Sequence, residues 1–209
     1  FLFLLIVSGV WALSFYGNHS HIVWKTAESE HFQVHYPVEY QAQAGFVTAL
    51  AEAAYDSLAR RYRVLLPGKS QVVVRNALFS NGLANPVYNA INVWLTDWDF
   101  KVRSTHFWIS DVVAHEFAHL LSIQSASKFS PWIHGLQISY QDFYNEKNQE
   151  HWGVFYPLTL YPLWFAEGTA QYESARLGFD AWDTHRDMLL RVAMLEDQVL
   201  PLSKMYEFA

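Results

Sequence analysis

The sequence predicts an α+β fold on three observations. Apolar residues make up 52% of the 209-residue chain and charged residues only 16%, enough for one core in one domain. The first half carries short segments of strand period around a single helical stretch. In the second half long segments of helical period follow one another, so the helices gather after the sheet rather than alternating with its strands.

Each element follows in order. Residues 1–16, within "FLFLLIVSGVWALSFYG", are an apolar run with no charge before Lys25. That run reads as a signal-like segment, with "VWA" offering a small-residue cleavage site, as an N-terminal membrane anchor, or as a buried first strand. The first two readings, which are preferred, expect an exported, periplasmic or cell-envelope protein. Residues 28–209 then form a single domain, expected to be a piece of a longer chain. "HFQVHYP" (31–37) alternates apolar and polar residues up to Pro37 and reads as a strand. From 38 to 66, Ala44, Val47, Leu50, Ala51, Ala54 and Leu58 recur at helical spacing, and one helix is expected there.

"QVVVRNALF" is a second strand, "SNGLANP" has turn chemistry, and "NAINVWLT" (89–96) is a third strand. Residues 107–126 carry apolar side chains round most of a helical circumference, which marks a central buried helix. The polar and aromatic stretch from 128 to 162 exceeds an ordinary connection and is expected to be a lid or a wall. Helices are expected at 163–176 and 181–197, the latter capped by Asp183 or Thr184.

Composition removes several functions. The net charge is −6 with no basic run, which argues against a nucleic-acid surface. With no cysteine, disulfides, thiolate metal sites and a cysteine nucleophile are all excluded, so any metal must be held by histidine and carboxylate.

Against that background "DVVAHEFAHLLS" (111–122) stands out. On a helix, His115 and His119 lie on one face a turn apart, able to share a cation about 2.0–2.1 Å from each ring nitrogen. Glu116 points roughly 100° away round the helix, where it reaches a water in an open metal position rather than the metal itself. That is the place of a general base. The plainer reading, two satisfied core histidines beside a buried ion pair, needs a separate partner for every polar group.

A hydrolytic zinc site takes a third protein ligand, here His, Asp or Glu. No histidine follows at the short H-E-x-x-H-x-x-G-x-x-H spacing. Glu167, 48 positions after His119, sits in the charge-poor helix "LWFAEGTAQYESAR". Gly168 beside it is expected to let that helix approach a neighbour closely.

His115-Glu116-x-x-His119 with Trp164-x-x-Glu167-Gly168-x-Ala170-x-Tyr172 resembles the gluzincin metallopeptidases. The wide ligand spacing is closer to the bacterial peptidase-MA-like domains, exported and often fused to a TolB-like β-propeller, than to the zinc aminopeptidases. "EHFQVHYP" and "RDMLLRVAML" are similar to that group as well. The resemblance implies a zincin-like fold: an N-terminal mixed sheet with a helix, a central HExxH helix, and a C-terminal helical part carrying the third ligand. It also implies Zn2+ held by His115, His119 and Glu167, with Glu116 as general base, and a C-terminal propeller as a partner domain.

The aminopeptidases' G-x-M-E-N segment is absent, so endopeptidase action on a peptide or protein substrate is expected. By analogy with zincins, "NAINVWLT" pairs with the extended substrate. Candidates for the oxyanion donor are Tyr172, His134, Tyr140, Tyr156 and Tyr161. Asp111, Gln171 and Glu173 are candidates to support the histidines. Two further readings stay open at this level: an amidase acting on cell-wall peptides, and a catalytically idle peptide-binding module. His31 and His35, four apart in a strand, are about 13 Å apart and too distant to share a metal.

Overall fold

The computed structural model describes residues 21–66, 68–76, 80–86, 88–97, 107–126, 164–180 and 184–201, and the backbone of 137–141, 151–155, 159–160 and 163. The fold is α+β. Strands β1 (Trp24–Glu28), β2 (Phe32–Pro37), β3 (Ser70–Arg75), β4 (Gly82–Asn85) and β5 (Ala90–Trp94) make a mixed sheet in the order β1-β2-β3-β5-β4. β2, β3 and β5 run parallel, while β1 and β4 are antiparallel edges.

Strand alternation decides the faces. Phe32, Val34 and Tyr36 of β2, Val72 and Val74 of β3, and Ile91 and Val93 of β5 all point into one core. The intervening residues form a polar ladder on the other face. His35 bridges Thr26 and Gln71 at 2.9 and 2.8 Å, Gln71 donates to Gln33, and Arg75 donates to Asn92. The two early histidines are thus structural, as expected: His31 donates its backbone N–H to Glu52 and stacks on Tyr55 at 3.6 Å.

Helix α1 (Gln41–Tyr62) covers the apolar face through Ala44, Val47, Ala51, Ala54 and Leu58, one stripe at i, i+3, i+7, i+10 and i+14. It is shorter than the expected 38–66. A 3-10 turn at Val38–Tyr40 precedes it, and Arg63 ends it in the left-handed conformation (φ 54°), its N–H bonded to the Ala59 carbonyl. Helix α2 (Trp108–Ala126) is buried on nearly every side, as its composition predicts. Phe117 anchors it, edge-on to Phe32 at 5.2 Å and beside Tyr55 at 5.8 Å.

Helix α3 (Leu163–Arg176) packs on α2. Helix α4 (Thr184–Leu195) buries none of its residues and is tied back by Arg186, which grips both oxygens of Asp180 at 2.8 and 2.9 Å. Thr184 is its first helical residue, and Asp183 lies outside the described residues.

Two expectations change. The segment read as a turn, "SNGLANP", contains β4, and the long stretch expected as a lid or wall contains a second sheet. In that sheet β6 (Gln137–Gln141), β7 (His151–Phe155) and β8 (Thr159–Leu160) pair antiparallel in sequence order. No helix among the described residues is long and apolar enough to cross a membrane, and residues 1–16 lie outside them.

Candidate metal centre

The site forms where three elements meet: the middle of α2, the first half of α3, and edge strand β4. One helical turn of α2 puts His115 and His119 on the face turned towards α3. On α3, Glu167, Gln171 and Ser174 recur at i, i+4 and i+7. Buried alanines on both helices, Ala114 and Ala118 on α2 and Ala166 and Ala170 on α3, leave no bulky side chain to hold the axes apart.

The donors converge. His115 Nε2 lies 3.1 Å from His119 Nε2 and 3.1 Å from Glu167 Oε2, and His119 Nε2 lies 3.6 Å from Glu167 Oε1. A tetrahedral shell with donors about 2.0–2.1 Å from an ion spaces neighbouring donors about 3.3–3.4 Å apart. A proton can join only one pair of these atoms at a time, whereas a cation at their common centre engages all three residues. The triangle therefore fits a metal by size and by donor chemistry.

Glu116 also lies near, its carboxylate and the histidine nitrogens within 4.8 Å of one another. Glu167, with oxygens 3.1 and 3.6 Å from the histidine nitrogens, offers a further carboxylate donor to the same point. The Glu116 carboxylate also lies under β4, where the backbone N–H of Ala84 favours its charged form. The structure brings together the four residues singled out in the sequence, His115, Glu116, His119 and Glu167.

The electrostatics separate the two carboxyls. Burial pushes Glu116 up, and the Glu167 charge adds to this, against the pull of His119 and His115; the net shift is upward. For Glu167 burial also pushes up, but hydrogen bonds from His115 and His119 outweigh it and hold the group well below the usual carboxylate range. Burial works against a charged His115, yet the Glu167 hydrogen bond and the Glu116 and Asp111 charges raise it. The opposite shifts of His115 and Glu167 thus share one cause, the hydrogen bond between them.

A cleft of about 460 Å³ opens on these groups, bounded by Gly82, Ala84, Pro86, Trp108, Ile123 and Gln171. β4 forms its rim. Trp94 N–H donates to the Asn81 carbonyl at 3.1 Å, so by antiparallel alternation Leu83 and Asn85 bond β5 while Gly82 and Ala84 turn their backbone groups to the open edge. The strand expected to offer that edge, "NAINVWLT", cannot do so: β5 is paired on both sides, to β3 and β4.

The other candidates divide. Asp111 lies in the cleft wall and accepts from the Ser174 hydroxyl, clasping α2 to α3. Gln171 is also in the wall, its Nε2 donating to buried Asp180. Glu173 is not a partner of the histidines. It is buried on the far side of α3, paired with Arg61 at 2.8 Å and Arg176 at 3.1 Å. Tyr172 is likewise turned away, with Arg61 over its ring at 5.6 Å, because it stands about 140° round the helix from Glu167. It is therefore no oxyanion donor for this centre. His134, Tyr156 and Tyr161, and the side chain of Tyr140, lie outside the described residues.

Gly168 does not serve a close approach, since nothing among the described residues lies within 4 Å of where its Cβ would stand. Gly82 does. It and Ala84 are the site residues that sequence reasoning missed, hidden in what reads as a turn.

No family model matches the chain, and no curated protein matches it.

Proposed function

We propose that the protein is a zinc-dependent metallopeptidase of gluzincin type, acting as an endopeptidase on extended peptide segments. The observation that carries the reading is the convergence of His115, His119 and Glu167 to within 3.1–3.6 Å, with a carboxyl of raised pKa next to them. A mixed sheet whose antiparallel edge strand overlies the active helix is the layout of a zincin, and this supports the finer fold assignment. Zinc is the metal that suits a donor set of two imidazoles and a carboxylate with no thiolate.

When bound, zinc supplies a Lewis acid that polarises the scissile carbonyl and acidifies water. The chain's own residues do the rest. Glu116 accepts the proton of the attacking water at a carboxylate oxygen and returns it to the leaving amine nitrogen. The open-edge carbonyls of Gly82 and Ala84 accept N–H groups of an extended substrate, adding it to the sheet as a strand. The cleft wall is mixed, with Pro86, Trp108 and Ile123 apolar and Asp111 and Gln171 polar.

The test is metal content and casein hydrolysis on the wild type and Glu116→Gln. Zinc in both, with turnover only in the wild type, is the expected result; absence of zinc after repletion contradicts the proposal.

A further inference from the structure

Edge strand β4 passes over α2 at Gly82, and the contact there is closer than any side chain allows. A Cβ on Gly82 would stand 2.5 Å from Val112 Cγ2 and 2.7 Å from Glu116 Cδ, with Glu116 Oε1 nearer still. The requirement is for space and not for backbone freedom, because Gly82 is absent from the described residues with positive φ. Two residues on, the Ala84 N–H acts on the same Glu116 carboxylate and favours its charged form. One strand therefore bears on the carboxylate twice, through the bare Cα of Gly82 and through the Ala84 N–H.

We infer that Gly82 is a positioning residue, whose missing side chain fixes where the Glu116 carboxylate stands relative to His115 and His119. The three atoms nearest its absent Cβ belong to Glu116 and Val112, and none belongs to His115, His119 or Glu167. An added methyl group must then move both. Val112 is β-branched on a helix, with its rotamer fixed, and yields little, so the strand lifts by the small amount that it demands. Glu116 is long and flexible, and its carboxylate swings away from its place. A catalytic group displaced by about 1 Å costs on the order of 100-fold in rate. The catalytic consequence rests on the role proposed above for Glu116; the positional claim does not.

The experiment is a mutant cycle of wild type, Gly82→Ala, Glu116→Ala and the double variant. It is read by thermal unfolding of the metal-free chains, and by zinc stoichiometry and peptide hydrolysis of the repleted ones. Gly82→Ala is expected to keep zinc at parity with the chain, to lose about 100-fold in kcat with little change in KM, and to melt below the wild type. In the Glu116→Ala background the same substitution is expected to lower the melting temperature less, because only the Val112 contact then remains. An equal drop in both backgrounds, loss of zinc, or unchanged kcat in an active wild type overturns the inference. Should Gly82→Ala fail to fold, the cycle is repeated with Val112→Ala throughout, which removes the rigid neighbour. A wild type that hydrolyses nothing defeats the peptidase reading, while the melting cycle still decides whether Gly82 positions Glu116.

Discussion

His115 Nε2 stands 3.1 Å from Glu167 Oε2, across the contact between α2 and α3 and 52 residues apart in sequence. No local rule brings those atoms together. They meet because a turn of α2 presents His115 to α3, because small residues let the two helices close, and because Ser174 clasps Asp111 one turn before His115.

If Glu167 completes the metal site, Glu167→Ala lowers zinc affinity by more than the 10–100-fold typical of losing a mere supporting group. Isothermal titration against competing chelator measures this. An affinity within about threefold of wild type, against that 10–100-fold scale, would remove Glu167 from the ligand set.

Glu116 gives a pH-dependent prediction for the metal-free chain. Its folded pKa is raised above 4.5, so its ionised form opposes folding. That cost is absent below about 4.5 and grows as pH rises through the folded value. Glu116→Gln is therefore expected to stabilise the metal-free chain near neutral pH by roughly 1 kcal/mol, the scale of one relieved buried polar group. The gain should vanish towards about pH 4. Melting curves across that range check it, and a gain that persists at acid pH would contradict the cause given.

Glu173 is expected to matter for stability alone. It is buried with its two guanidinium partners on the side of α3 away from the histidines. Arg61 and Arg176 are partly exposed and can turn to water, so Glu173→Ala should cost roughly 2–3 kcal/mol, below the full penalty of breaking an enclosed pair. Denaturant unfolding measures the loss, and zinc affinity should stay at the wild-type value.

Asp180 holds Gln171 in the cleft wall and is itself held by Arg186. Asp180→Ala frees the Gln171 amide, and KM is expected to rise about tenfold with zinc content unchanged, in keeping with one misplaced polar contact. Steady-state kinetics on a peptide series separates this from an effect on the metal.

How much of this is legible in sequence follows from which forces act locally. The helix of His115 and His119 is readable because its period and its burial agree over 19 residues. β2 is readable because Phe32, Val34 and Tyr36 alternate with polar partners. β4 is not: an edge strand pairs on one side only, so it tolerates the Asn, Gly and Pro of "SNGLANP" that would disqualify an inner strand. Its glycine looks like turn punctuation, whereas its use is the close passage over Glu116. The strands at 137–160 are equally opaque, because polar and aromatic residues there mask any alternation. Glu167 is visible as one of two acids in a charge-poor helix, but its distance from the histidines is a tertiary fact. Glu173 and Tyr172 look equally suitable in sequence and are turned away by the helical angle alone.

The most direct test of the central claim is zinc stoichiometry by plasma mass spectrometry on the repleted wild type, Glu116→Gln and Glu167→Ala, with peptide hydrolysis in parallel. The account predicts zinc at parity with the chain in the first two, little in the third, and turnover only in the wild type. Wild-type protein that takes up no zinc would contradict it, and would leave His115, His119 and Glu167 as a hydrogen-bonded cluster between two helices.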